Sequence, residues 1–124
     1  MPSWIQKPIP DAQGFIAEIV ANLLENAFRY ASKGSSIGLF INEKGICVWD
    51  TGTPIPYLER EKIFERGYRG EKNLNLQGSG LGLSLARELT NQFNGELSLT
   101  INPSEFDQSL PMKGNAFVIT FKEE

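Results

Sequence analysis

Two asparagines and an arginine lie on one flank of an apolar helical pattern between residues 16 and 30. Asn22 and Asn26 are four residues apart and Arg29 follows three later, so a helix places the three side chains on one surface. An asparagine carbonyl oxygen is a neutral, hard ligand for Mg²⁺, which also binds phosphate oxygens and water. Arg29 would then face the phosphates. The alternative is a surface helix with ordinary polar residues.

A glycine-rich stretch, GSGLGL at residues 78–83, opens a second helical pattern. Glycines allow close approach of the backbone, and the free amides of a helix N-terminus favour an anion, so the stretch predicts a phosphate site. It does not fit a dinucleotide fingerprint, because Leu83 replaces the third glycine and a polar loop precedes it instead of a strand. The Gly-Lys-Ser/Thr string of a phosphate-binding loop does not occur. A structural glycine turn remains the alternative.

Asp50 closes an apolar strand pattern and is followed by Thr51 and Gly52. A carboxylate at a strand end can accept a hydrogen bond from an exocyclic amine, and Gly52 would let a ring approach the main chain. A plain Asp-Thr-Gly turn is the alternative.

The elements that must position these residues follow from hydrophobic periodicity and turn signals. We predict a helix from an Asp11 cap to about residue 32, a hairpin at 36–49, a short amphipathic segment at 57–64, a helix at 80–93, and strands near 97–101 and 117–121. Residues 102–115 are expected to form an exposed loop. This order predicts a two-layer α/β sandwich, with a mixed, mostly antiparallel sheet packed on about three helices.

Residues 65–79 are polar, charged and punctuated by glycine. A loop of this length in a small domain is typical of a functional lid. Its cations Arg66, Arg69 and Lys72 could close over phosphates, or they could be solvated surface charges.

Composition limits the class of protein. A chain of 124 residues predicts one domain, 1–124, and a net charge of -3 predicts no nucleic-acid partner. Cys47 is the one cysteine and lies in an apolar run, which indicates a buried thiol in a reducing compartment. No membrane-spanning stretch or signal peptide is evident. We therefore expect a cytoplasmic, monomeric domain without membrane contact, in a parent protein that can itself be membrane-anchored.

The chain contains no histidine. A Ser-His or Cys-His catalytic pair and a histidine-ligated metal are therefore excluded within it. Any phosphorylated histidine must lie on another chain or on another part of the polypeptide.

Taken together, the motifs resemble the four nucleotide-binding boxes of the sensor histidine kinase ATP-binding domain. This is the Bergerat fold of the GHKL superfamily, which includes gyrase, heat-shock chaperones and mismatch-repair ATPases. The matching stretches, in order, are 22–30 (NLLENAFRY, N box), 50–52 (DTG, first glycine box), 63–69 (IFERGYR, F box), 78–83 (GSGLGL, second glycine box) and 114–117 (GNAF, closing segment).

The resemblance implies ATP and Mg²⁺ as ligands. It makes Asn26 the Mg²⁺ ligand and Asn22 a phosphate or second metal contact, with Arg29 facing the phosphates. For the adenine, it implies that Tyr30 packs on the ring and that Asp50, beside Gly52, accepts the amino group. For the lid, it places Phe64 at the base and lets Arg69 reach the terminal phosphate. The lid exit is formed by Gly78, Ser79, Gly80, Leu81 and Gly82.

Position 22 separates the branches of the superfamily. Hydrolysing members have a glutamate there as general base, whereas an asparagine cannot accept that proton. Glu25, one residue from Asn26, is a nearby carboxylate that could polarise an incoming imidazole. The resemblance thus implies phosphoryl transfer to a histidine on a separate dimerisation domain of the same kinase, with Glu25, Arg29 and Arg69 as catalytic residues and a response regulator as indirect partner.

Two positions depart from the family pattern. Pro54 replaces a glycine, and its fixed φ cannot imitate a positive-φ glycine. Asn115 replaces the usual threonine of the closing segment. One alternative function is a stand-alone serine kinase of the anti-sigma-factor type. Another is a degenerate interaction module whose Pro54 has abolished nucleotide binding.

Overall fold

A computed structural model describes residues 12–66 and 82–121 of the chain. The described part is a four-stranded sheet with α-helices on one face. Its elements are α1 (Ala12–Tyr30), β1 (Ile37–Asn42), β2 (Gly45–Asp50), α2 (Gly82–Gln92), β3 (Gly95–Thr100) and β4 (Asn115–Phe121), with short 3-10 helices at Tyr57–Glu59, Lys62–Phe64 and Pro103–Glu105. None of its helices has the length and apolar character needed to cross a membrane.

Helix α1 carries a continuous apolar stripe at four-residue spacing. Ile19, Leu23 and Ala27 are buried against the sheet, as the spacing predicts. The helix ends at Tyr30, and Gly34 follows with a φ of 88°, a conformation that glycine adopts without strain. The predicted helix and its glycine-marked end are confirmed, and the Asp11 cap lies outside the described residues.

The sheet order is β1-β2-β4-β3, and all three pairings in the described chain are antiparallel. Strand β2 is central, so it is hydrogen-bonded on both edges. Its last residue, Asp50, lies directly opposite Asn115, the first residue of β4. Gly45 begins β2 where a Cβ would lie 1.9 Å from the Ile119 carbonyl oxygen, so only glycine fits this close strand contact.

Two apolar cores lie on opposite faces of the sheet. The larger one lies under the helices and includes Ile46, Val48 and Phe117 from the strands. The smaller one contains Cys47, Phe106, Leu110, Ala116 and Val118. Side chains alternate along a strand, so the even-numbered residues of β2 and the odd-numbered residues of β4 face the helices, and Asp50 and Asn115 belong to that face.

The prediction of an exposed loop at residues 102–115 is wrong. Pro103, Phe106 and Leu110 are buried, because this segment crosses the face of the sheet opposite α1 and α2. Strand β4 is consequently buried on both faces over its first five residues. The sequence of this loop has no apolar periodicity, so its burial could not be predicted from the sequence.

The predicted order of elements and the α/β sandwich with an antiparallel sheet are confirmed. The short segment at 57–64 forms two 3-10 turns instead of one helix. Most of the predicted lid, 65–79, lies outside the described residues.

Candidate functional site

The carboxylate of Asp50 is a buried polar group of the site. Its residue is only 5% exposed at the end of β2. The Gly52 backbone N–H donates to Asp50 Oδ1 at 2.8 Å, and Asn115 Nδ2 donates to the same oxygen at 3.2 Å. Within residues 12–66 and 82–121 no hydrogen bond ends on Asp50 Oδ2, so that oxygen remains an acceptor for a ligand.

Burial raises the pKa of Asp50, while the hydrogen bonds from Gly52 and Asn115 act in the opposite direction. Desolvation disfavours the charged carboxylate, and hydrogen bonds to it favour the charge. The site therefore keeps a carboxylate whose charged form is disfavoured by burial, and two hydrogen-bond donors hold it in place. Such a group suits recognition of an amine better than it suits structural stability.

Gly52 brings the end of α1 against this carboxylate. A Cβ at Gly52 would lie 3.0 Å from Asp50 Oδ1 and 3.2 Å from the Ser32 backbone nitrogen. Next to it, Ser36 N–H donates to Thr51 Oγ1 at 2.9 Å, and Thr51 N–H donates to the Ser36 carbonyl at 3.0 Å. The missing side chain thus allows the turn after α1 and the end of β2 to pack closely.

Asn22 and Asn26 lie one turn apart on α1 and are both partly exposed. Each directly precedes a core residue, Leu23 or Ala27, so the amides lie beside the buried stripe. Asn22 Nδ2 is buried and has no hydrogen-bond partner among the described residues. A buried donor without a partner is costly, and it fits a site that a polar ligand completes.

Helix α2 begins beside this flank. Outside its own helix and chain neighbours, the nearest heavy atom to a Cβ built on Gly82 is the Asn22 carbonyl oxygen, at 4.0 Å. Gly82, the first residue of α2 and part of the predicted phosphate-binding stretch, therefore lies close to the backbone of Asn22 on α1.

Glu25 and Arg29 form an ion pair one turn apart, with Arg29 Nη2 2.7 Å from Glu25 Oε1. The Arg29 side chain is 29% exposed and that of Glu25 is 65% exposed. Exposed pairs of this spacing contribute about 0.3–0.5 kcal/mol. The structure thus joins two residues that the sequence had given separate roles.

Phe64 lies where residues 62–64 meet α2. It is buried, packs edge-on against Phe117 at a ring distance of 6.1 Å, and has the Arg87 guanidinium 4.2 Å from its ring centre. Arg87 also lies 3.5 Å from Glu61. The F-box phenylalanine is thereby fixed to α2 by a cation–π contact.

Asn115 is a site residue whose contacts sequence reasoning missed. It is 5% exposed. Besides its bond to Asp50, its Nδ2 donates to the Thr53 carbonyl at 3.0 Å, and its Oδ1 accepts from the Ile55 N–H at 2.8 Å. The sequence marked Asn115 only as a replacement for threonine. The register of β4 against β2 was the missing information.

Several predicted site residues cannot be placed by the described part of the chain. The side chain of Tyr30 and the whole of Arg69, Gly78, Ser79, Gly80 and Leu81 lie outside the part of the chain that the structure describes. No group of three or more acidic, cysteine or histidine side chains in the described part could hold a metal ion. The predicted metal residue, Asn26, has a neutral amide oxygen.

Comparison with known proteins gives one family. The model of the "Histidine kinase-, DNA gyrase B-, and HSP90-like ATPase" family matches residues 11–124. Sensor histidine kinase Hik2 of Thermosynechococcus vestitus is 38% identical over 104 residues, which are 80% of this chain and 26% of that protein. Sensor histidine kinase YcbM of Bacillus subtilis is 39% identical over 110 residues, 84% of this chain and 33% of that protein.

Among solved structures, the mycobacterial sensor histidine kinase MprB superposes with a TM-score of 0.64 and 27% identity, covering 87% of this chain and 70% of that one. The chain spans about a quarter to a third of the two curated relatives. The chain therefore belongs to the family of histidine kinase-, DNA gyrase B- and HSP90-like ATPases, in the form found in the catalytic domains of sensor histidine kinases.

Proposed function

We propose that this domain binds ATP with Mg²⁺ and donates the γ-phosphoryl group to a histidine on a separate dimerisation domain of the same kinase. The observation that carries the proposal is the buried Asp50 carboxylate, which is held through Oδ1 and keeps Oδ2 as an acceptor. An adenine amino group is a donor that satisfies it.

The α1 flank would hold the phosphates and the metal. Asn26 offers an amide oxygen to Mg²⁺ and Asn22 offers its unpartnered Nδ2 to a phosphate oxygen. Arg29 lies on the same helix, one turn from Asn26, and adds positive charge. Bound Mg²⁺ would neutralise phosphate charge during transfer.

Phosphoryl transfer is favoured over hydrolysis because of position 22. Its amide cannot act as a general base for water. Glu25 is the carboxylate close to Asn26, and we assign it to the incoming imidazole. Since the chain has no histidine, the acceptor must lie outside these 124 residues.

The roles of the other residues are carried over from the family resemblance. We assign Tyr30 and Gly52 to the adenine, Phe64 and the stretch 78–82 to the lid ends, and Arg69 to the terminal phosphate. We further propose that residues 1–124 act as one monomeric domain in the cytoplasm, in signal transduction, and that a response regulator later receives the phosphoryl group.

Calorimetric titration with ATP tests the proposal. The parent should bind ATP more tightly with Mg²⁺ than with a chelator, and Asn26→Ala should remove most of that Mg²⁺-dependent gain because it removes the amide oxygen. Asn91→Ala, an exposed asparagine on α2, is the matched control and should bind like the parent. A parent that does not bind ATP, or an Asn26→Ala variant with the full Mg²⁺ effect, would contradict the proposal.

A further inference from the structure

The strap after β2, residues 53–55, has a proline at its centre. Pro54 has a fixed φ and no N–H, so the strap can neither adopt a positive-φ conformation there nor form a backbone hydrogen bond from that residue. The polar backbone groups on either side are the Thr53 carbonyl and the Ile55 N–H. Both are satisfied by one side chain, that of Asn115.

Asn115 thereby joins the strap to the base-recognition carboxylate. Its two amide hydrogens are donated to Thr53 and Asp50, and its oxygen accepts from Ile55. Asn115 is itself buried, its bond to Asp50 is buried, and its bonds to Thr53 and Ile55 are partly buried. Hydrogen bonds shielded from water are strong and their loss is costly. The anchor itself is firm, because Asn115 begins β4 directly opposite Asp50.

Gly114 makes this approach possible. A Cβ there would lie 2.0 Å from the Asp50 carbonyl oxygen, and the Gly114 φ is 147°. The backbone before Asn115 therefore lies directly against the end of β2, which brings the amide within reach of both Asp50 and the strap.

We propose that Asn115 is a positioning residue of the nucleotide site that compensates for Pro54: it fixes the strap and Asp50 Oδ1 together, so that Asp50 Oδ2 is presented to the adenine amino group. The proposal rests on the ATP site described above. Pro54 and Asn115, the two departures from the family pattern, are then a coupled pair of replacements and not two independent ones.

Threonine cannot replace these contacts. Its hydroxyl has a single hydrogen to donate, whereas Asn115 donates two and accepts one. Its side chain is also shorter. With a rigid Pro54 the strap cannot move towards a shorter partner, whereas a glycine at that position would restore both an N–H and freedom in φ.

A double-mutant cycle of the parent, Asn115→Thr, Pro54→Gly and the double variant tests the coupling. Each protein is titrated with ATP and with GTP, which replaces the amino group by an oxo group, and is unfolded by heat without nucleotide. Asn115→Thr should weaken ATP binding about tenfold and reduce the ATP over GTP preference about fivefold. It should also lower the melting temperature by about 4–8 °C.

When Pro54→Gly is also present, Asn115→Thr should weaken ATP binding only about threefold, because the strap can then adjust.

Asn42→Thr is the matched control. Like Asn115, Asn42 forms three side-chain hydrogen bonds: at the distant β1–β2 turn its Oδ1 accepts from the Lys44 and Gly45 N–H groups, and its Nδ2 donates to the Phe106 carbonyl. Its variant should lose thermal stability while keeping the parent's ATP over GTP preference.

The outcomes separate the positioning role of Asn115 from the proposed ATP-binding function. If the two substitutions act additively on the melting temperature and on ATP binding, or if Asn115→Thr changes the base preference no more than Asn42→Thr does, the positioning role is wrong. If the parent binds neither nucleotide, the proposed function fails. The melting temperatures without ligand then decide the coupling of Asn115 and Pro54 by themselves.

Discussion

The two halves of the candidate site are built differently. At the end of β2, Asp50 and Asn115 are both 5% exposed and are joined by hydrogen bonds to each other and to the neighbouring backbone. On α1, Asn22 and Asn26 are partly exposed, and Asn22 Nδ2 has no partner within the described residues. Hydrogen bonds hold the first half in place and leave Asp50 Oδ2 as an acceptor, whereas the second half contains a buried donor that nothing in the described residues holds.

This difference indicates a division of labour. Groups that are already in position lose little conformational freedom on binding, so in the proposed site the β2 end would favour specificity for the base. The α1 flank keeps an unsatisfied donor and an exposed ion pair, whose contacts can change when phosphates and a metal arrive. Substitutions in either half should therefore weaken ligand binding, but their effects on stability without ligand should have opposite signs. Removing the Asn115 amide breaks hydrogen bonds and should destabilise the protein, whereas removing the Asn22 amide takes away a buried donor without a partner among the described residues and should stabilise it.

The largest effect is expected for Asp50→Asn. The new amide can keep accepting from Gly52 and Asn115 through Oδ1, but it presents an NH₂ group where the carboxylate presented an acceptor. We expect ATP affinity to fall about 100-fold or more, because two donors would face each other. Isothermal titration calorimetry measures the loss.

The same variant should not be less stable at neutral pH. The pKa of Asp50 is raised from its ordinary value of 3.8 by burial, so the folded state takes up this proton more readily than the unfolded state does. Stability from this group is therefore present at low pH and falls as pH rises through the window between 3.8 and the raised pKa. Asp50→Asn removes that cost, and its advantage in melting temperature should disappear on acidification. A variant that is less stable than the parent at pH 7 would contradict this assignment.

A medium effect is expected for Asn22→Ala. It removes a buried donor without a partner and replaces asparagine by a better helix former, so the free energy of unfolding without ligand should rise by about 1 kcal/mol. ATP affinity should fall about tenfold, since the phosphate contact is lost. Thermal unfolding with and without ATP measures both. Asn91→Ala, the exposed asparagine on α2, controls for helix propensity, and an equal gain in stability there would remove the argument from the buried donor.

Much of the fold could be predicted from the sequence because it is encoded locally. The four-residue spacing of Ile19, Leu23 and Ala27 indicated the buried face of α1, and an apolar run ending in Asp50 indicated a strand end. Asn22 and Asn26 could be placed on one flank for the same reason, since helical spacing alone determines it.

The features that could not be predicted depend on contacts between distant parts of the chain. Asn115 is 65 residues from Asp50, and only the pairing of β4 with β2 brings them together. Phe106 and Leu110 are buried because their loop crosses the second face of the sheet, and no local pattern marks that crossing. Glu25 and Arg29 had a spacing that permits an ion pair, but the resemblance to the N box assigned each to a separate task.

The smallest effect is expected for Glu25→Gln, and it tests whether the α1 flank changes partners. Arg29 is held by Glu25 in the structure, so a phosphate would compete with a carboxylate for the guanidinium. Removing that charge should raise ATP affinity about two- to threefold while costing about 0.3–0.5 kcal/mol of stability.

Both changes should shrink as salt is raised, since the pair is exposed and therefore screened. Titrations with ATP at low and at high ionic strength measure the gain, and Glu96→Gln, an exposed position on β3, is the matched control. If Glu25→Gln binds ATP less tightly than the parent at low salt, then Glu25 supports the phosphate side directly. The Glu25–Arg29 ion pair would then already be arranged for phosphate binding. The α1 flank would be preorganised like the β2 end, and the contrast between the two halves of the site would be lost.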